Sequence, residues 1–226
     1  MKTKFLLPVL LSIWIPAFTQ NGLEIGIGPA FSNITLKGID HSIRPDRTLH
    51  TGLQVQALWN QNIGEGFSIA SGIGYKEKGF MWKEGINTNV LNIPISIGVT
   101  ASTNINYLEL PLNLKYTVGD ENGIKAFAFA GPSVGYALNA NVQTRANMLI
   151  DFNINRTNIN LNDPIYNRVE LGANAGAGIE LPIGNGSIIA SGNYMHGFNR
   201  VIDNTVIDFK ARNYGFGLNL GYKINF

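Results

Sequence analysis

Three histidines, a serine inside a Gly-x-Ser-x-Gly pattern and two closely spaced glycine pairs are the places where this chain could do chemistry. Gly131-Pro132-Ser133-Val134-Gly135 matches the letters of a nucleophile elbow, whose serine must sit on a strained strand-to-helix turn with an acid and a histidine in reach. Pro132 and the alternation that continues to Leu138 leave no helix there. Asp40, His41, Asp46 and His50 form the one cluster of metal-binding types, but its spacing matches no ligand set, and a polar connection carries such charges simply because they are solvated. His196, between Tyr194 and Phe198, fits an interfacial aromatic girdle more simply than a lipid-modifying site, which needs a serine or aspartate beside the histidine at the membrane rim. Gly26/Gly28 and Gly176/Gly178 lack the rest of a dinucleotide fingerprint and its following helix. The expectation is a protein without catalytic, cofactor-binding or metal-binding residues, and so not an enzyme.

The elements that position these residues are strands. In residues 212–226, Tyr214, Phe216, Leu218, Leu220, Tyr222, Ile224 and Phe226 alternate with Asn213, Gly215, Gly217, Asn219, Gly221, Lys223 and Asn225. Successive side chains of a strand point to opposite faces, so this segment has one apolar face and one wet one. At about 3.3 Å per residue it reaches roughly 50 Å, and tilted by about 45° it still covers the apolar band of a membrane barrel, about 25 Å tall.

Seven more alternating runs precede it. The first sets Leu23, Ile25, Ile27, Pro29 and Phe31 against Glu24, Gly26, Gly28, Ala30 and Ser32. The second sets Leu53, Val55, Ala57 and Trp59 against Gln54, Gln56 and Asn60, with Leu58 an exception, and the third Phe67, Ile69, Ile73 and Tyr75 against Ser68, Gly72, Gly74, Lys76 and Lys78. The fourth is the cleanest, with Leu108, Leu110, Leu112, Leu114, Tyr116 and Val118 opposite Glu109, Asn113, Lys115 and Thr117. The fifth, residues 124–138, has Phe127 and Phe129 on one face and Val134, Tyr136 and Leu138 on the other, so its orientation stays open. The sixth places Val169 to Leu181 against Glu170, Gly172, Asn174, Gly176, Gly178 and Glu180, and the seventh carries Ile188, Tyr194 and Phe198 opposite Ser191 and Asn193.

Connections one, three, five and seven are long, at residues 33–50, 79–103, 139–166 and 200–208, whereas the other three are short turns. Short turns on the periplasmic side and long loops outside are the asymmetry of outer membrane barrels. The expected fold is all-β: an eight-stranded antiparallel up-and-down transmembrane β-barrel. Its interior has room only for side chains, which suits the inward glycine, serine and asparagine. Glu24, Glu109, Lys115, Glu170, Glu180 and Lys223 are then expected to pair in the lumen, because an unpaired charge is costly there.

The start of the chain reads as an export signal over residues 1–19, with Lys2 and Lys4 before an apolar run broken by Pro8 and Pro16, and the barrel domain occupies residues 20–226. The sequence holds no cysteine, which removes disulfides and thiolate metal sites. A formal charge of +2 without a basic run argues against nucleic acid as a partner.

Tyr107-Leu-Glu-Leu-Pro-Leu-Asn-Leu-Lys-Tyr116, Ala130-Gly-Pro-Ser-Val-Gly-Tyr136, Gly176-Ala-Gly-Ile-Glu-Leu181 and Leu220-Gly-Tyr-Lys-Ile-Asn-Phe226, in that order and spacing, resemble the PorT-like outer membrane β-barrel family of Gram-negative bacteria. The resemblance implies an integral outer membrane protein in contact with outer membrane lipid, with a structural or interaction role. Some members are linked to type IX protein secretion, so secretion or envelope proteins are implied as partners. Asn219, Gly221, Ile224 and Phe226 resemble the terminal β-signal read by the barrel assembly machinery, although a lipid-facing strand could end this way regardless. Phe80, Met81 and Trp82 begin a connection more apolar than a free surface loop should be; it either packs on itself as a hairpin or forms a partner-contact patch. Two other functions remain open: a rim-sited lipid-modifying enzyme, and a soluble periplasmic barrel holding a ligand.

Overall fold

Period-two alternation with glycine and asparagine at the turns leaves the backbone one way to satisfy its donors and acceptors inside a membrane, a sheet closed on itself. The computed structural model describes residues 21–37, 47–90, 93–120, 123–147, 152–204 and 209–226. It contains β1 (Gly22–Lys37), β2 (Arg47–Gly64), β3 (Phe67–Val90), β4 (Ile93–Val118), β5 (Lys125–Asn147), β6 (Phe152–Asn158), β7 (Val169–Ile183), β8 (Gly186–Gly197), β9 (Ile202–Asn204) and β10 (Phe209–Asn225). Eight of these close the cylinder in the order β1-β2-β3-β4-β5-β7-β8-β10, each antiparallel to its neighbours, and β10 pairs back onto β1 from Gly22↔Asn225 to Lys37↔Lys210. β6 pairs only with the outer end of β5, and β9 with β10.

Turn chemistry sets the register at the narrow end. β2 and β3 are joined by Glu65 and Gly66 at φ 53° and 81°, the two positive values that a type I′ turn requires. β7 and β8 are joined by Gly184 and Asn185, with Gly184 at φ 61°. Both turns twist in the same sense as the strands, so neither splays its hairpin.

The expected faces hold around the barrel. Leu220 is 61% exposed and Leu110, Leu112, Leu114, Ile25, Ile27, Ile179 and Leu218 point outward with it, while Glu24, Asn113, Lys115, Glu180 and Asn219 are buried inside. A soluble barrel would place these sets the other way round, so the ligand-holding periplasmic alternative is set aside. β5 takes the orientation that puts Val134, Tyr136 and Leu138 outside and buries Phe127 in the lumen.

Two long connections are themselves sheet. β3 and β4 stay paired from Phe67↔Tyr116 to Val90↔Ile93, so residues 79–90 and 93–103 are paired strands continuing the barrel wall. They add about 50 Å of ladder beyond Tyr75. Above the fifth strand, β5 pairs with β6 from Asn141↔Asn158 to Ala146↔Phe152. The sequence also suggests a hairpin there, but one between residues 150–154 and 159–161, broken at 155–158; the observed strand runs through that break because β5 itself extends to Asn147 and offers a free edge.

Candidate functional site

The lumen is where ionisable side chains converge. Inward parity on five strands delivers four carboxylates (Glu24 on β1, Glu109 on β4, Glu170 and Glu180 on β7) and four amines (Lys76 and Lys78 on β3, Lys115 on β4, Lys223 on β10), so the eight charges cancel. They form two groups. In the outer group Lys78 lies 2.5 Å from both Glu109 and Glu170, Lys76 lies 2.9 Å from Glu109, and Asn213 donates to Glu170. Tyr107, wholly buried, receives the Lys78 ammonium over its ring at 4.9 Å. In the inner group Lys223 pairs with Glu180, and Lys115 stands 3.7 Å from Glu24 and 3.9 Å from Glu180 above the Phe127 ring. All six residues expected to pair do so; Lys76 and Lys78 complete the balance. Their place on the inward face was legible, but they border the connection that hid the rest of β3.

The two ends of the lumen differ. On the extracellular side Ile105, Tyr107, Ala137, Ala140, Leu161 and Val201 form an apolar cluster that caps the outer charges. Between the groups, Gln54, Asn113, Phe129 and Asn219 leave a cavity of about 50 Å³. The periplasmic end opens into a vestibule of about 620 Å³ reached by Lys115, Lys125, Glu180 and Lys223. Among the described residues the arrangement is a cup, with the apolar cluster across its outer end and the paired charges beneath.

The candidate catalytic residues are dispersed. Ser133 lies mid-strand on β5, between Pro111 of β4 and Gly172 of β7, with no strand-to-helix turn. His196 faces outward between Tyr194 and Phe198, at ring-centroid separations of 6.4 and 6.0 Å. Asp40, His41 and Asp46 lie outside the described residues. His50, buried above the level of the outward-facing Glu77, is hydrogen-bonded through Nδ1 to Ser102 Oγ at 3.3 Å, a contact across 52 positions that sequence spacing could not show. Burial lowers its pKa, with Glu77 opposing and Arg145 adding to that shift, and its Nε2 has no hydrogen-bond partner among the described residues. One bond of a hydrolase relay is present, and among the described residues no carboxylate is hydrogen-bonded to the imidazole to orient it. Among the described residues no group of three or more metal-binding side chains is found.

Aromatic girdles and an outward apolar band on a closed antiparallel cylinder specify a membrane barrel. The pattern of the outer membrane protein beta-barrel domain matches residues 18–203. This chain belongs to that family. As an outer membrane protein beta-barrel it resides integrally in the outer membrane, in contact with its lipid. No curated protein sequence matches it. Solved structures similar to this barrel include Neisserial surface protein A (12% identity, 91% of this chain and 97% of that one, TM-score 0.46). OprG from Pseudomonas aeruginosa is similar at 10% identity over 92% of this chain and 95% of that one, with a TM-score of 0.49. The outer membrane protease OmpT from Escherichia coli is similar at 10% identity over 92% and 97%, with a TM-score of 0.39.

Asn219 is buried in the lumen, Gly221 lies against the β1 backbone, and Ile224 faces lipid. Phe226 is 69% exposed, stacks on Trp59 at 5.9 Å, and donates its amide proton to the Asn21 carbonyl at 2.8 Å. Phe80 is buried and its ring meets Trp82 at 5.4 Å, so that pair packs within the extension, while Met81 lies on the opposite face of β3.

Proposed function

We propose that this outer membrane protein beta-barrel is a non-enzymatic structural or interaction component of the envelope, belonging with the PorT-like barrels and working alongside secretion or envelope proteins. The closed lumen carries this reading. An interior crossed by paired charges leaves the surfaces outside the membrane as the place to act, and the paired extension of β3 and β4 is one such surface. Paired strands hold a protruding surface rigid, so a partner that docks there loses little entropy in ordering it.

Cross-linking mass spectrometry on intact outer membranes tests this. The reading expects cross-links from the extension to defined secretion or envelope subunits, lost when residues 83–99 are replaced by a short turn. Cross-links confined to the assembly machinery would remove the interaction role.

The 3.3 Å contact between His50 and Ser102 favours one second reading, a hydrolase acting at the extracellular face. Labelling of Ser102 by a fluorophosphonate, abolished in H50A, would establish it; an unlabelled folded barrel would dismiss it.

A further inference from the structure

Among the described residues, two stretches of the outer rim differ in charge. On the β2–β3 side the outward residue at the edge of the apolar band is Glu77, which accepts hydrogen bonds from the Leu53 amide and the Tyr75 hydroxyl. Across the barrel, where β7, β8 and β10 reach the same level, stand Arg168, Arg200 and Arg212. The Asn167 amide donates to the Val201 carbonyl at 2.9 Å and so ties together the segments that carry Arg168 and Arg200. Arg168 is fixed by donation to the Leu161 carbonyl, Asn162 Oδ1 and the Tyr136 hydroxyl. Arg200 and Arg212 line a recess of about 510 Å³ whose apolar wall is Phe198, Tyr166 and Ile165.

Directly below, Phe198 just past the end of β8 and His196 and Tyr194 on its lipid-facing side form a ladder of rings that ends at Gly192. Around Gly192 the wall sinks into an apolar groove of about 440 Å³ between Ile179, Leu218 and Leu220, floored by Ala177 and Ala190. From Gly192 to Phe198 is about 20 Å along the strand, the reach of one long acyl chain. Guanidinium groups at headgroup depth match the oxygens of a phosphate in charge and planar geometry. A groove lined by small side chains lets a chain make dispersion contacts that a ridge of leucines would deny it.

We propose that this face binds one phosphorylated, acylated lipid of the outer leaflet, with its phosphate on Arg200 and Arg212 and a chain along the β8 ladder into the groove at Gly192. The site does not depend on which protein partners the barrel has.

The full-length barrel in neutral detergent, titrated with diphosphoryl lipid A and read by native mass spectrometry, holds one lipid on this reading. R200Q/R212Q weakens that binding by about tenfold or more, the scale of lost charge-assisted hydrogen bonds. R156Q, on the exposed β6, leaves it unchanged. G192L supplies an arm that alters no charge. A Cβ at Gly192 meets Leu218 Cδ2 at 3.6 Å and the Gly217 carbonyl at 3.8 Å, ordinary contact distances, so the barrel folds while the new side chain fills the groove and reduces lipid retention. Heat-modifiable migration verifies folding of each variant, and R212Q alone is read if the double variant does not fold. The proposal is overturned if folded R200Q/R212Q or G192L keeps the lipid as the parent does, or if fully dephosphorylated lipid A binds as tightly. It is equally overturned if inorganic phosphate or a soluble sulfated sugar displaces the lipid at matching concentration, since the anion alone would then account for binding.

Discussion

Removing the Lys78 charge tests the reading of the lumen most directly. Lys78→Met preserves an unbranched side chain of similar volume, so packing against Tyr107 survives and the ammonium goes. Glu109 keeps Lys76 at 2.9 Å, but Glu170 is left with the amide of Asn213 as its partner. Glu170 is 4% exposed beneath the apolar cap, so it becomes a buried carboxylate without a counter-charge, and the expected cost is about 3–5 kcal/mol. Lys115→Met provides the contrast. Its two contacts are longer, at 3.7 and 3.9 Å, Glu180 keeps Lys223, Glu24 still accepts from Asn60 at 3.4 Å, and the vestibule admits water. That substitution should cost about 1–2 kcal/mol, between the exposed and buried limits. Adding Glu170→Gln to Lys78→Met removes the orphaned charge and should recover about 2 kcal/mol of the loss. Urea unfolding in detergent micelles, followed by Trp59 and Trp82 fluorescence, measures all four proteins. A Lys78→Met barrel within about 1 kcal/mol of the parent, or one no less stable than Lys115→Met, would refute the claim that the outer charges are a dry, mutually dependent set.

Three further outcomes are expected. Reconstituted into planar bilayers, the barrel should show no stepwise ion current, because the apolar cap and the paired charges close it; steady unitary conductance would contradict the closed lumen. Phe226→Ala loses one ring contact worth about 0.5–1.5 kcal/mol, so its refolded barrel should be nearly as stable as the parent while its assembly in cells slows markedly; normal outer membrane levels at early times would show that the residue is not recognised. The lowered pKa of His50 means that its neutral form suits the folded extension and that protonation favours the open chain. As pH falls below about 6.5 toward the folded-state value, amide exchange around residues 48–50, 79–82 and 100–103 should speed up, and His50→Gln should flatten that dependence.

Parity carried most of the fold. Wherever one face of a strand was aliphatic and the other small or polar, as at Leu110 to Lys115 or along β10, sequence alone gave orientation, strand count and the side of the membrane on which the turns lie. It failed on β5 because both faces are apolar there: Phe127 and Phe129 fill the lumen under Lys115 while Ala126, Ala128 and Ala130 face outward with little hydrophobic signal. It also failed beyond the membrane. The sheet of β3 and β4 runs on past the membrane to Val90↔Ile93, and its length beyond the expected strand end made residues 79–103 look like a connection. The outer arginine recess and the contact between His50 and Ser102 join segments remote in sequence, and no local spacing announces either.

The lumen charges have a bearing on how the cylinder shuts. Lys223 and Asn213 arrive on the last strand, and their acids wait on β7, two strands away across the wall. A slip of one residue when β10 zips onto β1 would turn Lys223 out into hydrocarbon and strand Glu180 and Glu170 inside. Misclosed forms therefore carry an electrostatic handicap that the native seam lacks, and the final strand is proofread by the interior it completes.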